Sequence, residues 1–196
     1  MNTAHPDHMG RYLENGTWEQ ERANITAYGM HQWIRDFNRP VRGIEIGIKE
    51  GMNTIAFLEA CENVIEMIGV DPFAPYNDLG YQWSVAEQDS ILGHMLKNIK
   101  VRNLEDRFKH IRLHSHDAAA QLPDGQFDFV FIDGEHTHEA ITRDLELYWP
   151  KLVPDGIMSG HDWQFIGNSV LQWRNHRGIT TQLVNLPHYS WAFRKS

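Results

Sequence analysis

Short apolar runs alternate with longer amphipathic segments along most of this chain. Runs with the length of a buried strand predict seven strands, at Val41–Ile46, Val64–Val70, 108–113, Phe127–Ile132, 157–160, 180–186 and 189–193. Apolar residues at helical spacing, together with capping residues, predict helices at 17–37, 53–61, 84–100, 117–122, 137–149 and 168–176. The segment 73–83 is predicted to be a long loop.

Strands that alternate with helices indicate βαβ units, in which the strands are parallel and helices cover both faces of the sheet. The last two runs are close enough in sequence to form an antiparallel hairpin. The predicted fold is therefore α/β, a single doubly wound, mostly parallel seven-stranded sheet of Rossmann-like type that ends in this hairpin. The 196 residues suffice for one domain with a full core, which we assign to residues 17–196 after an N-terminal arm, 1–16.

The composition narrows the classes of function. With 18 basic and 26 acidic residues, the net charge of −8 argues against nucleic acid as a partner. No run of 18 apolar residues is present, so we expect no membrane partner. A single cysteine and a polar N-terminal segment lead us to expect a cytoplasmic protein. The chain also has 12 histidines, a residue type that binds metals and moves protons near neutral pH.

Ligands of a parallel sheet bind beyond the carboxyl ends of its strands, so the residues after each strand are the candidates. Glu45 lies near the end of the first strand of the sheet, and Gly47 and Gly51 bound the tight loop that follows it. Asp71, twenty residues after Gly51, ends the second strand, where an acid can bind both hydroxyls of a ribose. The loop carries a lysine and a glutamate where pyrophosphate-binding loops need glycine. We therefore expect a ligand that contains a ribose but no phosphates. We also expect this ligand to carry an ammonium group, which Glu45 would attract.

These motifs resemble those of the class I S-adenosylmethionine-dependent methyltransferases. Segments 45–51 and 69–73 are similar to the first two motifs of that family, and 116–118 to a third that flanks the adenine. Segments 127–136 and 153–162 resemble the small O-methyltransferases that modify macrolide and aminocoumarin sugars and, more distantly, catechol O-methyltransferase. The resemblance implies that S-adenosylmethionine is bound by Glu45, Gly47, Gly51, Asp71, His116 and Asp117.

In that subgroup a divalent cation, usually magnesium, is held by acids after the fourth and fifth strands. The resemblance therefore implies a Mg²⁺ or Mn²⁺ site at Asp133, His161 and Asp162, where His161 departs from the carboxylate that relatives often have. Carboxylates suit magnesium or manganese, whereas a histidine ligand favours manganese or a later transition metal. His136 resembles a histidine proposed as the general base, so His136 and Asp133 are the expected catalytic residues.

The expected reaction is transfer of a methyl group from S-adenosylmethionine to a hydroxyl of a small molecule, such as a sugar, a phenol or another secondary metabolite. Aromatic residues near the site would form a lid over a ring-shaped acceptor, and they are Tyr76, Tyr81, Trp83, Trp163 and Phe165. One alternative is a protein that binds S-adenosylmethionine or a nucleoside without methyl transfer, as a regulatory or partner-binding module. A dinucleotide-dependent oxidoreductase is disfavoured by the loop. The acceptor, and whether identical copies of the chain associate, stay open.

Overall fold

The computed structural model describes residues 10–12, 18–20, 26–78 and 81–196. Its strands are β1 (Gly10–Tyr12), β2 (Trp18–Gln20), β3 (Val41–Ile46), β4 (Val64–Val70), β5 (Tyr76–Asp78), β6 (Tyr81–Trp83), β7 (Phe108–Ile111), β8 (Phe127–Ile132), β9 (Leu152–Gly160), β10 (Val184–Leu186) and β11 (Ser190–Arg194). The α-helices are α1 (His31–Arg35), α2 (Met52–Ala60), α3 (Val85–Val101), α4 (Ser115–Gln121), α5 (His138–Tyr148) and α6 (Trp163–His176). Short 3-10 helices occupy Thr26–Met30 and Glu105–Arg107.

Seven strands form the central sheet, in the order β10-β11-β9-β8-β3-β4-β7. The strands from β9 to β7 pair in parallel, while β11 runs antiparallel to both β9 and β10. This arrangement confirms the predicted doubly wound sheet with a C-terminal antiparallel hairpin. The strand order changes direction at β3, which lies between β4 and β8, and a ligand crevice is expected at such a switch point.

The core consists of two layers, one on each face of the sheet. Strand β8 is buried along its whole length, and its side chains alternate between the layers because successive residues of a strand face opposite sides. Phe129 and Phe131 pack with α2 and α3, while Val130 and Ile132 pack with α4, α5 and α6. Burial on both faces explains why this strand is the most continuous apolar run of the sequence.

The prediction of a single helix over 17–37 was wrong. Strand β2 lies within that range and pairs antiparallel with β1, and residues 26–35 form a 3-10 helix followed by the short helix α1. Ala27, Met30 and Ile34 are fully buried, so their apolar spacing reflects contact with the core and not a continuous helix. A Cβ on Gly29 would lie 3.1 Å from the Cβ of Leu186, so this segment packs closely against the C-terminal hairpin.

Other differences concern the ends of elements. The predicted loop 73–83 contains the short hairpin β5–β6, and β9 begins at Leu152, well before the predicted 157. Helix α6 begins directly after Asp162, five residues earlier than predicted. Helix α3 begins as predicted, because Ser84 and Glu87 form a reciprocal capping box. Within the described ranges, none of the helices is both long and apolar enough to cross a bilayer.

Candidate functional site

Parallel pairing brings the carboxyl ends of β3, β8 and β9 to one edge of the sheet. The backbone N–H of Asp133 donates to the carbonyl of Ile46 at 2.8 Å, and that of His161 donates to the carbonyl of Ile132 at 3.0 Å. The residues that follow these three strands are therefore neighbours in space, although they are far apart in the sequence. This register brings most of the predicted site residues together.

The glycine loop between β3 and α2 follows the backbone of its neighbours closely. Gly47 has φ +82°, and a Cβ there would overlap the carbonyl group of Asp133, so a side chain is excluded. Gly51 has φ +80° and occupies the N-cap position of α2. Both glycines therefore have the structural role that the sequence predicted, while contact with a cofactor stays a prediction.

Asp71 braces this loop through its side chain. One carboxylate oxygen accepts the backbone N–H groups of Ile48 and Lys49, both at 3.1 Å, and the other accepts the N–H of Phe73 at 2.9 Å. A carboxylate has about four acceptor positions, so Asp71 retains capacity for a ribose hydroxyl. Its predicted binding role stays a prediction, and its position beside the loop fits that role.

Glu45 is a buried acid at the end of β3. The hydroxyl of Thr54 donates to its carboxylate, and the side chain of Asn53 also hydrogen-bonds it. Burial raises the pKa of Glu45 to about 8, and the nearby Asp133 carboxylate adds to the rise. A bound ammonium group would favour the ionised form of Glu45. The carboxyl group of Glu45 is therefore suited to a cationic ligand group.

Asp133, His136, His161 and Asp162 form a compact cluster at the ends of β8 and β9. His136 Nε2 is 2.5 Å from Asp162 Oδ2, and His161 Nδ1 lies 3.3 Å from Asp133 Oδ1 and 3.0 Å from Asp162 Oδ2. All four side chains are mostly buried, with 14 to 21% of their surface exposed. The cluster thus combines two carboxylates with two imidazoles in a partly desolvated setting.

The electrostatics of the cluster follow from these contacts. Burial by itself would lower the pKa of His161, but the carboxylates of Asp133 and Asp162 outweigh it and raise the pKa to about 10. Burial would likewise raise the pKa of Asp162, but hydrogen bonds from His136 and His161 hold it well below its usual value. The two carboxylates therefore favour the protonated, positively charged form of His161.

The donor atoms of Asp133, His136 and Asp162 fit a metal ion, because one atom from each lies within 4.8 Å of the other two. Two carboxylate oxygens and one imidazole nitrogen are acceptable ligands for Mg²⁺ or Mn²⁺. His161 borders this group but does not belong to it. Its predicted role as a ligand stays a prediction.

His116 and Asp117 lie on α4, away from this cluster, beyond the end of β7. Both are exposed, and their side chains are 3.5 Å apart. The structure therefore does not bring them into contact with Asp133 or Asp162. A place beside an adenine remains a prediction for both residues, and their exposure leaves room for a ligand there.

The aromatic residues divide into two groups. Trp83 stacks with Tyr76, and the ammonium group of Lys49 lies 5.2 Å from the Trp83 ring centre, so hairpin β5–β6 is attached to the glycine loop. Phe165 is 57% exposed and lies edge-on to His136, with ring centres 6.2 Å apart. The side chain of Tyr81 lies outside the described residues. The lid hypothesis is compatible with both groups and stays a prediction.

Sequence reasoning missed the role of Asn53, which it considered only as a helix start. The Asn53 amide donates to Asp133 Oδ2 at 2.9 Å and accepts the backbone N–H of Ala27 at 3.2 Å. The available signal was its place at the N-terminus of the helix that follows the glycine loop. That signal is weak, because asparagine is common at helix starts for reasons of capping alone.

Comparison with known proteins agrees with this geometry. A family profile described as "Methyltransferase domain" matches residues 44–163. A protein of Acanthamoeba polyphaga mimivirus, named uncharacterized protein R132, is 27% identical over 127 residues, which are 62% of this chain. The chain spans about half of that relative, with 51% of its length covered.

Two solved structures share the fold. One is a Staphylococcus aureus protein provisionally described as a caffeoyl-CoA O-methyltransferase, with a TM-score of 0.65, 16% identity, and coverage of 93% of this chain and 87% of that one. The other is the Podospora anserina methyltransferase PaMTH1 bound to S-adenosylhomocysteine, with a TM-score of 0.60, 16% identity, and coverage of 87% and 77%. At this identity, the similarity establishes the fold and not the acceptor.

Proposed function

This chain belongs to the methyltransferase domain family, with the fold of class I S-adenosylmethionine-dependent enzymes, and we propose that it methylates a hydroxyl group of a small molecule with the help of a divalent cation. The observation that carries the proposal is the convergence of Asp133, His136 and Asp162 at the edge of the sheet where Glu45 and the glycine loop lie. The cofactor residues and the polar cluster are thus close enough to serve one reaction.

The residues on the cofactor side of the site are proposed to bind and orient S-adenosylmethionine. In this proposal Glu45 attracts the ammonium group of S-adenosylmethionine. The loop from Gly47 to Gly51 lets the methionine part of the cofactor lie close to the protein backbone. Asp71 holds the loop by two backbone hydrogen bonds, accepts a third from Phe73, and offers its remaining acceptor position to the ribose. Ordering the donor before reaction contributes to the rate, because methyl transfer requires an in-line approach of the acceptor oxygen.

On the acceptor side, Asp133, Asp162 and His136 would hold the cation. When bound, a Mg²⁺ or Mn²⁺ ion supplies a Lewis acid that lowers the pKa of an acceptor hydroxyl and fixes its direction. The burial of the cluster excludes water and strengthens these interactions. Phe165, exposed beside His136, supports an acceptor with an apolar or ring-shaped face.

Two roles are proposed for His136, cation ligand and general base, and its Nε2 atom can perform only one of them at a time. Nε2 can bind the cation, or it can take the proton from the acceptor hydroxyl, but it cannot do both at once. The convergence with the two carboxylates supports the ligand role. The variant His136→Gln separates the roles: a ligand role predicts weaker Mn²⁺ binding, and a base role predicts slower transfer with unchanged Mn²⁺ affinity.

Partner and location are proposals as well. The net charge of −8 supports a small-molecule acceptor over nucleic acid, and the buried free thiol of Cys61 suits the reducing cytoplasm.

The test is a methyl-transfer assay with labelled S-adenosylmethionine, Mg²⁺ or Mn²⁺, and a panel of phenols and sugars. We expect label in at least one hydroxylated acceptor, formation of S-adenosylhomocysteine, and loss of both with Asp133→Asn. Asp89→Asn, which changes an exposed acid paired with Arg112, is the matched control and should retain activity. Calorimetry that detects no binding of S-adenosylhomocysteine would refute the proposal. Cofactor binding without transfer to any acceptor would favour the binding-protein alternative.

A further inference from the structure

Asn53 is the residue that physically connects the cofactor side of the site to the acceptor side. It occupies the second position of α2, directly after the glycine loop. Its amide group hydrogen-bonds the carboxylate of Asp133, at 2.9 Å, and the carboxylate of Glu45. Glu45 lies on β3, and Asp133 directly follows the adjacent parallel strand β8.

The amide chemistry suits this place. A primary amide nitrogen has two N–H groups, so it can donate one to each carboxylate. Glu45 and Asp133 repel each other, since the charge of Asp133 adds to the raised pKa of Glu45. A neutral donor between them offsets part of this repulsion without a charge that would compete with a bound cation.

The third contact fixes which way the amide faces. Its oxygen accepts the backbone N–H of Ala27 at 3.2 Å, and a backbone N–H can only donate. The oxygen must therefore face Ala27, which leaves both N–H groups for the acids. Ala27 is fully buried in the 3-10 helix Thr26–Met30, so the N-terminal segment sets the orientation of the amide.

From these contacts we infer that Asn53 is a positioning residue that holds the Glu45 and Asp133 carboxylates in their binding orientations, with the docked N-terminal segment locking its amide. The inference rests on the proposed function, because it assigns Glu45 to the cofactor and Asp133 to the cation. It requires that one side chain outside both ligand sets influence the binding of two unrelated ligands.

The experiment measures two affinities on each variant of the full chain. S-adenosylhomocysteine is titrated by calorimetry, and Mn²⁺ alone is titrated by the electron paramagnetic resonance of the free ion. We expect Asn53→Ala to weaken both by about tenfold, the effect of losing a hydrogen bond to a charged group. Glu45→Gln should weaken mainly the first ligand and Asp133→Asn mainly the second.

Asn63→Ala is the matched control, because the Asn63 amide donates to the Ile34 carbonyl near the start of β4, at the opposite edge of the sheet. It should leave both affinities unchanged. If Asn53→Ala does not fold, Asn53→Ser replaces it, since serine suits a helix start but is too short to reach both acids.

The inference is overturned if Asn53→Ala binds both ligands as tightly as the wild type, if it loses only one, or if Asn63→Ala loses both equally. Failure of the proposed function looks different, because the wild-type chain itself would then not bind S-adenosylhomocysteine or Mn²⁺, or would bind them without methyl transfer to any acceptor.

Discussion

Strand β8 connects two acids with opposite surroundings. At its amino end, Asp128 accepts the backbone N–H of Arg42 at 2.6 Å and pairs with the Arg39 guanidinium, also at 2.6 Å. Directly after its carboxyl end, Asp133 is hydrogen-bonded by the neutral amide of Asn53 and by the imidazole of His161. Five positions apart in the sequence, the two aspartates face opposite edges of the same sheet.

The difference separates a structural acid from a candidate functional one. An arginine keeps its charge at every accessible pH, so Asp128 is permanently compensated and has little affinity left for a ligand. Amides and imidazoles can be displaced or can lose a proton, so the acids at the carboxyl edge can exchange these partners for a cation or an ammonium group. The same residue type therefore serves folding at one edge and is available for chemistry at the other.

Removing a charge at the carboxyl edge should have the largest effect. Asp162→Asn is a suitable change, because Asp162 has φ +56° and asparagine tolerates that conformation well. We expect methyl transfer to fall by about 1,000-fold through loss of cation binding. The free energy of unfolding should change by less than about 2 kcal/mol, since the amide oxygen still accepts hydrogen bonds.

Steady-state kinetics with Mn²⁺ and urea unfolding check this expectation. The proposed difference between the two edges would be contradicted if Asp162→Asn kept an activity within threefold of the wild type, or if it failed to fold.

Asp144 sharpens the comparison, because it is buried like Asp128 but accepts its hydrogen bond from a neutral group, the Ser115 hydroxyl, at 2.6 Å. Burial raises the pKa of Asp144 to about 6 from an ordinary value near 3.8. Because the pKa of Asp144 is higher in the folded state, its protonated carboxyl contributes fully to stability below pH about 4. This contribution is lost as the pH rises through about 6, where the folded state must ionise the buried group. Asp144→Asn has no charge to bury, so at pH 8 its free energy of unfolding should exceed that of the wild type by up to about 3 kcal/mol.

Urea unfolding at pH 4, 6 and 8 measures the effect. The matched control is Asp155→Asn, a change of an exposed acid in the left-handed conformation, which should retain the loss of stability at pH 8 that Asp144 causes. Equal stability of the wild type and Asp144→Asn at pH 8 would contradict the cost assigned to the buried charge.

The smallest effect belongs to the structural acid. Asp128→Ala leaves the Arg42 N–H without its acceptor, and we expect the free energy of unfolding to fall by about 2 kcal/mol. Arg39 is 48% exposed, so its lost ion pair adds little. The kcat of the folded variant should equal that of the wild type, and Asp128→Asn, which keeps an acceptor, should lose less stability. A marked drop in kcat would show that the two edges are not independent.

Prediction from sequence succeeded where the signal is local and failed where the partners are distant. Val41–Ile46, Val64–Val70 and Phe127–Ile132 were predicted with their observed bounds, because strands buried largely on both faces are mostly apolar along their length. The segment 17–37 was predicted as a helix because apolar spacing cannot distinguish a helix from separate contacts with a core. The same limit concealed hairpin β5–β6, which lies within a predicted loop.

The sequence by itself determined the parallel sheet, the glycine loop and the acids at the strand ends, because periodicity, turn chemistry and spacing are properties of neighbouring residues. Only the tertiary structure decided what each acid contacts, since those partners lie tens of residues away and hydrogen bonds extend about 3 Å. In the folded chain Asp128 pairs with the permanently charged Arg39, whereas Asp133 contacts Asn53 and His161. That choice of partners, which no local pattern encodes, separates the structural edge from the candidate catalytic edge.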